Sequence, residues 1–301
     1  MHPTSKPGGP TASRLIAPTD ATPARLRRRH RVIAVCAFIG LLLGAAIILV
    51  VAFSISDTTA PARTIIPPAS DTVETTEPAV PEVQETTLPS GTAWLAMPQG
   101  EPAGIAILLP DATDDARALL DTRAAEELRG SGWAVATGVL GGESWGSTAA
   151  SEGLSQLKAW AVETAGPVPA LLAGVGMGAT TGLTTLARYP DLGVTCFYAA
   201  APLTDLAALV GENQAIGPRI ADAWGREPGA DDNPILLVES LPSGMTYRVV
   251  VPDGPPLLAE DANAFVSALE ASGQTVSSVT AAVGDSPDAD DLTAFAEGCS
   301  R

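Results

Sequence analysis

The sequence predicts an α/β domain: a mostly parallel sheet with helices on both faces. Three observations carry that prediction. Apolar runs rich in Val, Ile, Leu and Ala recur from about Thr92 onward, and helix-like stretches separate several of them. The composition agrees, being 46% hydrophobic but only 4% aromatic, with 29 glycines, which suits close-packed layers of small side chains. Strands that are apolar at consecutive positions are buried on both faces, the condition a parallel sheet imposes.

The chain before this domain divides into three segments. Residues 1–31 form a basic tail with seven Lys/Arg and one Asp, ending in Arg25-Leu26-Arg27-Arg28-Arg29-His30-Arg31. Residues 32–55 carry no charge and suffice to cross a hydrocarbon core of about 30 Å as a helix. The arginines then place the tail in the cytoplasm and everything after Ser56 outside. A cleaved signal peptide is the alternative, but its apolar region spans only roughly 7–15 residues. Residues 56–91 are rich in Thr, Pro and Glu and lack periodicity, the pattern of a disordered, partly polyproline-like stalk. The lipid bilayer, met through residues 32–55, is thus one expected partner, and the location a single-pass cell membrane.

The domain itself is read as residues 92–301. Strands are expected at Ala93–Met97, Gly104–Leu109, Trp133–Leu140, Val168–Ala173, Val194–Ala200, Tyr247–Val251 and Val276–Val283. Helices are expected at Asp114–Arg129, Ala149–Ala165, Ala179–Arg188 and Ala259–Ala271. About 210 residues comfortably form one core.

Beyond residue 31 the chain has ten basic and 33 acidic residues, a balance that repels polyanions and excludes nucleic acid as a partner. Cys36 falls within the apolar span. Cys196 and Cys299 either pair, as an oxidising compartment allows, or remain two separate thiols, Cys196 then being a small buried apolar residue. No cofactor is expected. Asp285, Asp288, Asp290 and Asp291, and likewise Asp111, Asp114 and Asp115, crowd single loops without the spacing of a calcium loop. Each cluster reads as solvated carboxylates near helix starts.

The chemistry of the domain turns on Gly174-Val175-Gly176-Met177-Gly178, between an apolar run and a helical stretch. Strand, sharp turn and helix make the context of the G-x-S-x-G elbow, in which the turn exposes a nucleophilic serine. Here the central residue is Gly176. This segment, with Arg188-Tyr189-Pro190-Asp191-Leu192 and Ala200-Ala201-Pro202 downstream, resembles the α/β-hydrolase fold. Asn233-Pro234-Ile235, the run Tyr247–Val251, the stretch Leu257–Phe265 and Gly141-Gly142-Glu143-Ser144-Trp145 are similar to secreted esterases of the esterase D and mycolyltransferase branch.

That resemblance implies a Ser, acid and His triad, which the chain does not supply. Position 176 is Gly. The acid's loop after Val251 reads Pro255-Pro256, with Asp253 displaced. The base's loop after Val283 reads Gly284-Asp285-Ser286-Pro287-Asp288, and a first oxyanion loop that commonly begins His-Gly here reads Pro110-Asp111. Only His2 and His30 exist, both before the apolar span, so no imidazole outside can serve a Ser-His-Asp relay.

Two other serines offer a rescue. Gly142-Glu143-Ser144-Trp145-Gly146 is a literal G-x-S-x-G, making Ser144 a fallback nucleophile. Its simpler reading is a glycine turn whose Ser147 or Thr148 caps the next helix. Ser155 and Lys158 spell S-x-x-K but lack the companion elements, Lys158 being the last lysine. The expectation is therefore a membrane-anchored, extracytoplasmic, esterase-like pseudoenzyme. It would bind an envelope lipid, sugar or protein, through a pocket bounded by Trp145, Met177 and Pro255-Pro256. The alternative is an atypical active esterase or acyltransferase on envelope lipids or esters.

Overall fold

The computed structural model describes residues 83–112, 115–212 and 215–300. The expected tail, membrane span and most of the stalk lie outside the described residues. Among the described residues no helix is long and apolar enough to cross a membrane.

Among the described residues eight strands form one sheet: β1 Val83–Leu88, β2 Gly91–Ala96, β3 Gly104–Leu109, β4 Trp133–Gly138, β5 Ala170–Val175, β6 Cys196–Ala200, β7 Thr246–Pro252 and β8 Thr275–Ala281. Their spatial order is β1-β2-β4-β3-β5-β6-β7-β8. β1 and β2 form an antiparallel hairpin, β2 joins β4 antiparallel, and every later pairing is parallel. The central strands β3 to β6 are buried at every position, as their unbroken apolar runs require.

The expected stalk extends too far. Val83–Leu88, inside the expected 56–91 segment, is a strand whose residues Thr86 and Thr87 face Ala93 and Thr92. Its Gln, Glu and Thr residues conceal it, because an edge strand with one solvated face needs few apolar side chains.

The described residues include seven helices: α1 Arg123–Gly130, α2 Thr148–Ala165, α3 Met177–Arg188, α4 Leu206–Glu212, α5 Gly217–Trp224, α6 Pro256–Ala271 and α7 Ala289–Cys299. On one face, α2, α3 and α6 bury Leu154, Leu157, Leu183 and Phe265 against Ile105, Ile107, Leu172 and Val249. On the other, α1 and α7 bury Leu128 and Leu292 against Leu108, Val135, Leu171 and Tyr198. Each such side chain contributes about 1.5–3 kcal/mol on burial. The helix expected over Asp114–Arg129 is interrupted: a 3-10 turn over Ala116–Asp121 ends at Thr122, whose hydroxyl caps α1 by accepting from Ala125 N. Proline at N1 lets α6 begin earlier than expected, at Pro256.

Cys196 on β6 and Cys299 at the end of α7 form a disulfide, with Cα atoms 6.0 Å apart. The bond ties the C-terminal helix to the sheet.

Candidate functional site

The end of β5 and the start of α3 meet at Gly176, where φ is 50° and ψ −116°. That left-handed conformation is strained for any residue with a side chain. Its N–H donates to Ala200 O at 3.0 Å, and its carbonyl accepts from Thr180 N at 3.1 Å. The flanking glycines serve close approach. A Cβ at Gly174 would lie 2.6 Å from Ala179 N, and one at Gly178 would strike the Leu109 carbonyl. The turn is therefore a true strand–elbow–helix, held by backbone packing rather than by a side chain at its apex.

Asp111, on the loop after β3, fills the apex instead. A Cβ on Gly176 would sit 2.6 Å from Asp111 Oδ1 and 3.0 Å from its Cγ. Asp111 Oδ1 accepts from Met177 N at 2.8 Å. In this kind of elbow the N–H after the nucleophile is an oxyanion-hole donor. Here a resident carboxylate holds it, capping α3, whose own N-cap Gly176 offers no side chain. Arg219 pairs with Glu143 at 2.6 and 2.7 Å. Its guanidinium pKa is raised first by that hydrogen bond, with Asp111's charge adding to the effect, so Asp111, Arg219 and Glu143 form one charge cluster beside the elbow.

Ser144, the fallback nucleophile, is buried. Its Oγ lies 2.7 Å from Thr181 Oγ1. Thr181 gives its own proton to Met177 O at 2.9 Å, so Ser144 donates to a hydroxyl rather than to a base. The next loop residues follow the simpler reading: Ser147 accepts from Ala150 N and caps α2.

The residues expected to bound a pocket are placed differently. Trp145 and Met177 are buried together with Leu206, Leu209 and Ile220 under α4 and α5, while Pro255 and Pro256 are exposed. The short helices α4 and α5, which the sequence pattern did not single out, are what close over them. Asp253 is exposed and uses its N–H to bond Ala281 O at 2.8 Å.

The blocks that carried the resemblance have structural partners. Arg188 donates to Gly146 O at 2.8 Å and Ser151 Oγ at 3.0 Å and lies 4.9 Å over the Trp224 ring, stapling the 141–147 loop to α3 and α5. Asn233 accepts from Leu206 N at 2.8 Å and donates to Asp205 at 2.9 Å, starting α4. Asp261 accepts from Thr204 N and Oγ1 at 2.7 and 2.6 Å. Burial raises its pKa despite those bonds.

The acidic loops are engaged in the same way. Asp115 caps the 3-10 turn through Arg117 N at 3.0 Å, and Asp288 caps α7 through Asp291 N at 2.9 Å. Asp290 pairs with Arg123 at 2.7 Å, and Asp291 with Arg248 at 2.6 Å. Among the described residues no group of three or more His, Cys, Asp or Glu is placed to hold a metal ion.

A strand order of 1-2-4-3-5-6-7-8 with an elbow after the fifth strand defines the α/β-hydrolase fold, and the chain has it. Solved structures agree. A carboxyl esterase from Bacillus coagulans superposes with a TM-score of 0.56 at 13% identity, over 73% of this chain and 99% of that one. MPT51 (FbpC1) of Mycobacterium tuberculosis gives 0.58 at 15%, over 74% and 98%. The fluorophosphonate-binding serine hydrolase FphF of Staphylococcus aureus gives 0.58 at 11%, over 74% and 98%. No protein-family model and no curated protein sequence matches the chain.

Proposed function

We propose that this chain is a membrane-anchored, extracytoplasmic protein of the esterase and mycolyltransferase-like branch, acting by binding or scaffolding in the cell envelope rather than by ester hydrolysis. The observation that carries the reading is the Asp111 carboxylate in the elbow, 2.8 Å from Met177 N. Acyl transfer needs a hydroxyl at the apex, a base within hydrogen-bond reach, and a free donor for the developing oxyanion. At this elbow the apex is glycine, and a resident anion opposes the charge that a tetrahedral intermediate would develop. Both histidines precede the apolar span, which leaves the domain without an imidazole.

The likeness to carboxyl esterases supports the esterase-like part of the reading and also supplies its competitor, an active hydrolase using Ser144. That serine's burial and its Thr181 partner argue against the competitor. Full-length chain in detergent, assayed with p-nitrophenyl acetate and butyrate, is expected to match the protein-free background. Turnover above background that Ser144→Ala abolishes would overturn the reading. Anchoring is tested separately: the chain is expected in the membrane fraction, with the domain removed by protease added outside intact cells.

A further inference from the structure

A second cavity lies beside the elbow, on the far side of Ala200, whose carbonyl accepts from Gly176 N. A cavity of about 530 Å³ opens between the C-terminal ends of β6, β7 and β8, the segment 282–288 and the start of α7. Neither Asp111, Gly176 nor Met177 lines it. Its size falls within the range of small-molecule sites, about 300–1,000 Å³. Short apolar side chains make its floor, among them Ala200, Val250, Val279 and Ala281.

The polar groups around that floor define the ligand. Tyr198 lines the cavity and is fully buried, yet its hydroxyl makes no well-formed hydrogen bond. Burial first, and the nearby Asp291 carboxylate second, raise its pKa, so the phenol stays protonated and available as a donor. A buried hydroxyl whose one nearby acceptor, Asp291, is poorly placed is costly, so an acceptor of better geometry is favoured here. The two neighbouring cations are already paired. Asp291 is held by two bonds from Arg248 at 2.6 and 3.1 Å, and Arg123 by Asp290 and Glu127. Asp288 accepts from the backbone of α7. The carboxylates that face the cavity keep free lone pairs for hydroxyl donors.

We propose that this cavity binds a neutral carbohydrate, a mono- or disaccharide. Its apolar ring face lies on the Val250, Val279 and Ala281 floor. One of its oxygens accepts from the Tyr198 hydroxyl, and its hydroxyls donate to Asp288 and Asp291. The proposal does not depend on whether the elbow is catalytic, and the ester assay does not report on it.

Saturation-transfer NMR and calorimetry on the full-length chain, in a sugar-free detergent, test it. The probes are methyl glucoside, methyl mannoside and maltose, with ethanolamine and inorganic phosphate as cationic and anionic comparisons. Saccharide binding is expected, weakened about tenfold by Tyr198→Phe, the scale of one hydrogen bond. That variant should not lose stability, since the hydroxyl it removes makes no well-formed hydrogen bond. Ala282→Trp, at an exposed position on the cavity lining, should abolish binding by filling the space. Absence of any saccharide signal, binding indifferent to both variants, or preferential binding of ethanolamine or phosphate would each overturn the proposal.

Discussion

Gly176 and Asp111 are best understood as a pair. The backbone at 176 is held at positive φ, and the carboxylate occupies the space a side chain would need. Gly176→Ser should therefore destabilise the fold by about 1–3 kcal/mol through strain alone, with the contact to Asp111 adding to it. Asp111→Ala should cost about 1 kcal/mol by uncapping α3. The double variant should cost less than the sum, because removing the carboxylate removes the clash. Urea unfolding of the four proteins measures the coupling, and strict additivity would mean that Asp111 swings aside freely. None of the four should hydrolyse nitrophenyl esters, since no variant supplies a base.

Asp232 gives a residue-scale test by pH. Burial pushes its carboxyl up, but the Arg226 hydrogen bond, the Gly229 N–H and the charges of Arg226 and Arg188 outweigh burial, and its pKa is lowered below the ordinary 3.8. A depressed folded-state pKa stabilises the fold above the unfolded value, and that contribution is lost as pH falls through the folded value. The stability gap between wild type and Asp232→Asn should be constant near neutrality and shrink below about pH 4. A gap that widens on acidification would contradict the assignment.

At the scale of elements, the sequence disclosed what periodicity can disclose. Strands such as Gly104–Leu109 are apolar at every position because both faces are covered, and their limits were readable almost to the residue. The edge strand β1 was not, because its side chains are those of a stalk and only the ladder to β2 distinguishes them. Helices α4 and α5 are short, and contacts such as Asn233 to Leu206 N, which join residues distant in sequence, help to hold them. The elbow was legible as a turn and as the loss of a serine. The Asp111 contact was not, since it joins residues 66 apart. The same reasoning makes α7 a test of long-range constraint. Its disulfide closes a loop with a sequence separation of 103, for which the chain-entropy account gives about 4–5 kcal/mol. Cys299→Ser should lower the unfolding free energy by an amount approaching that figure. A loss below about 1 kcal/mol would mean that α7 docks through Leu292 and Ala296 without help.

For the whole molecule, the disulfide and the basic tail bear on one question, the compartment of the domain. A structural disulfide persists where the surroundings are oxidising. The arginines before residues 32–55 independently predict that the domain lies outside the cytoplasm. The two lines share no residues, so their agreement can be tested by breaking one of them. In cells making the full chain, Cys196 and Cys299 should resist maleimide labelling until a reductant is added. Deleting residues 32–55 should strand the domain in the reducing cytoplasm, where both thiols label once the protein is denatured. The retained protein should also unfold at lower denaturant, by the same decrement as Cys299→Ser. Equal disulfide content in the two forms would separate the bond from the compartment, and the extracytoplasmic assignment would then rest on the arginines alone.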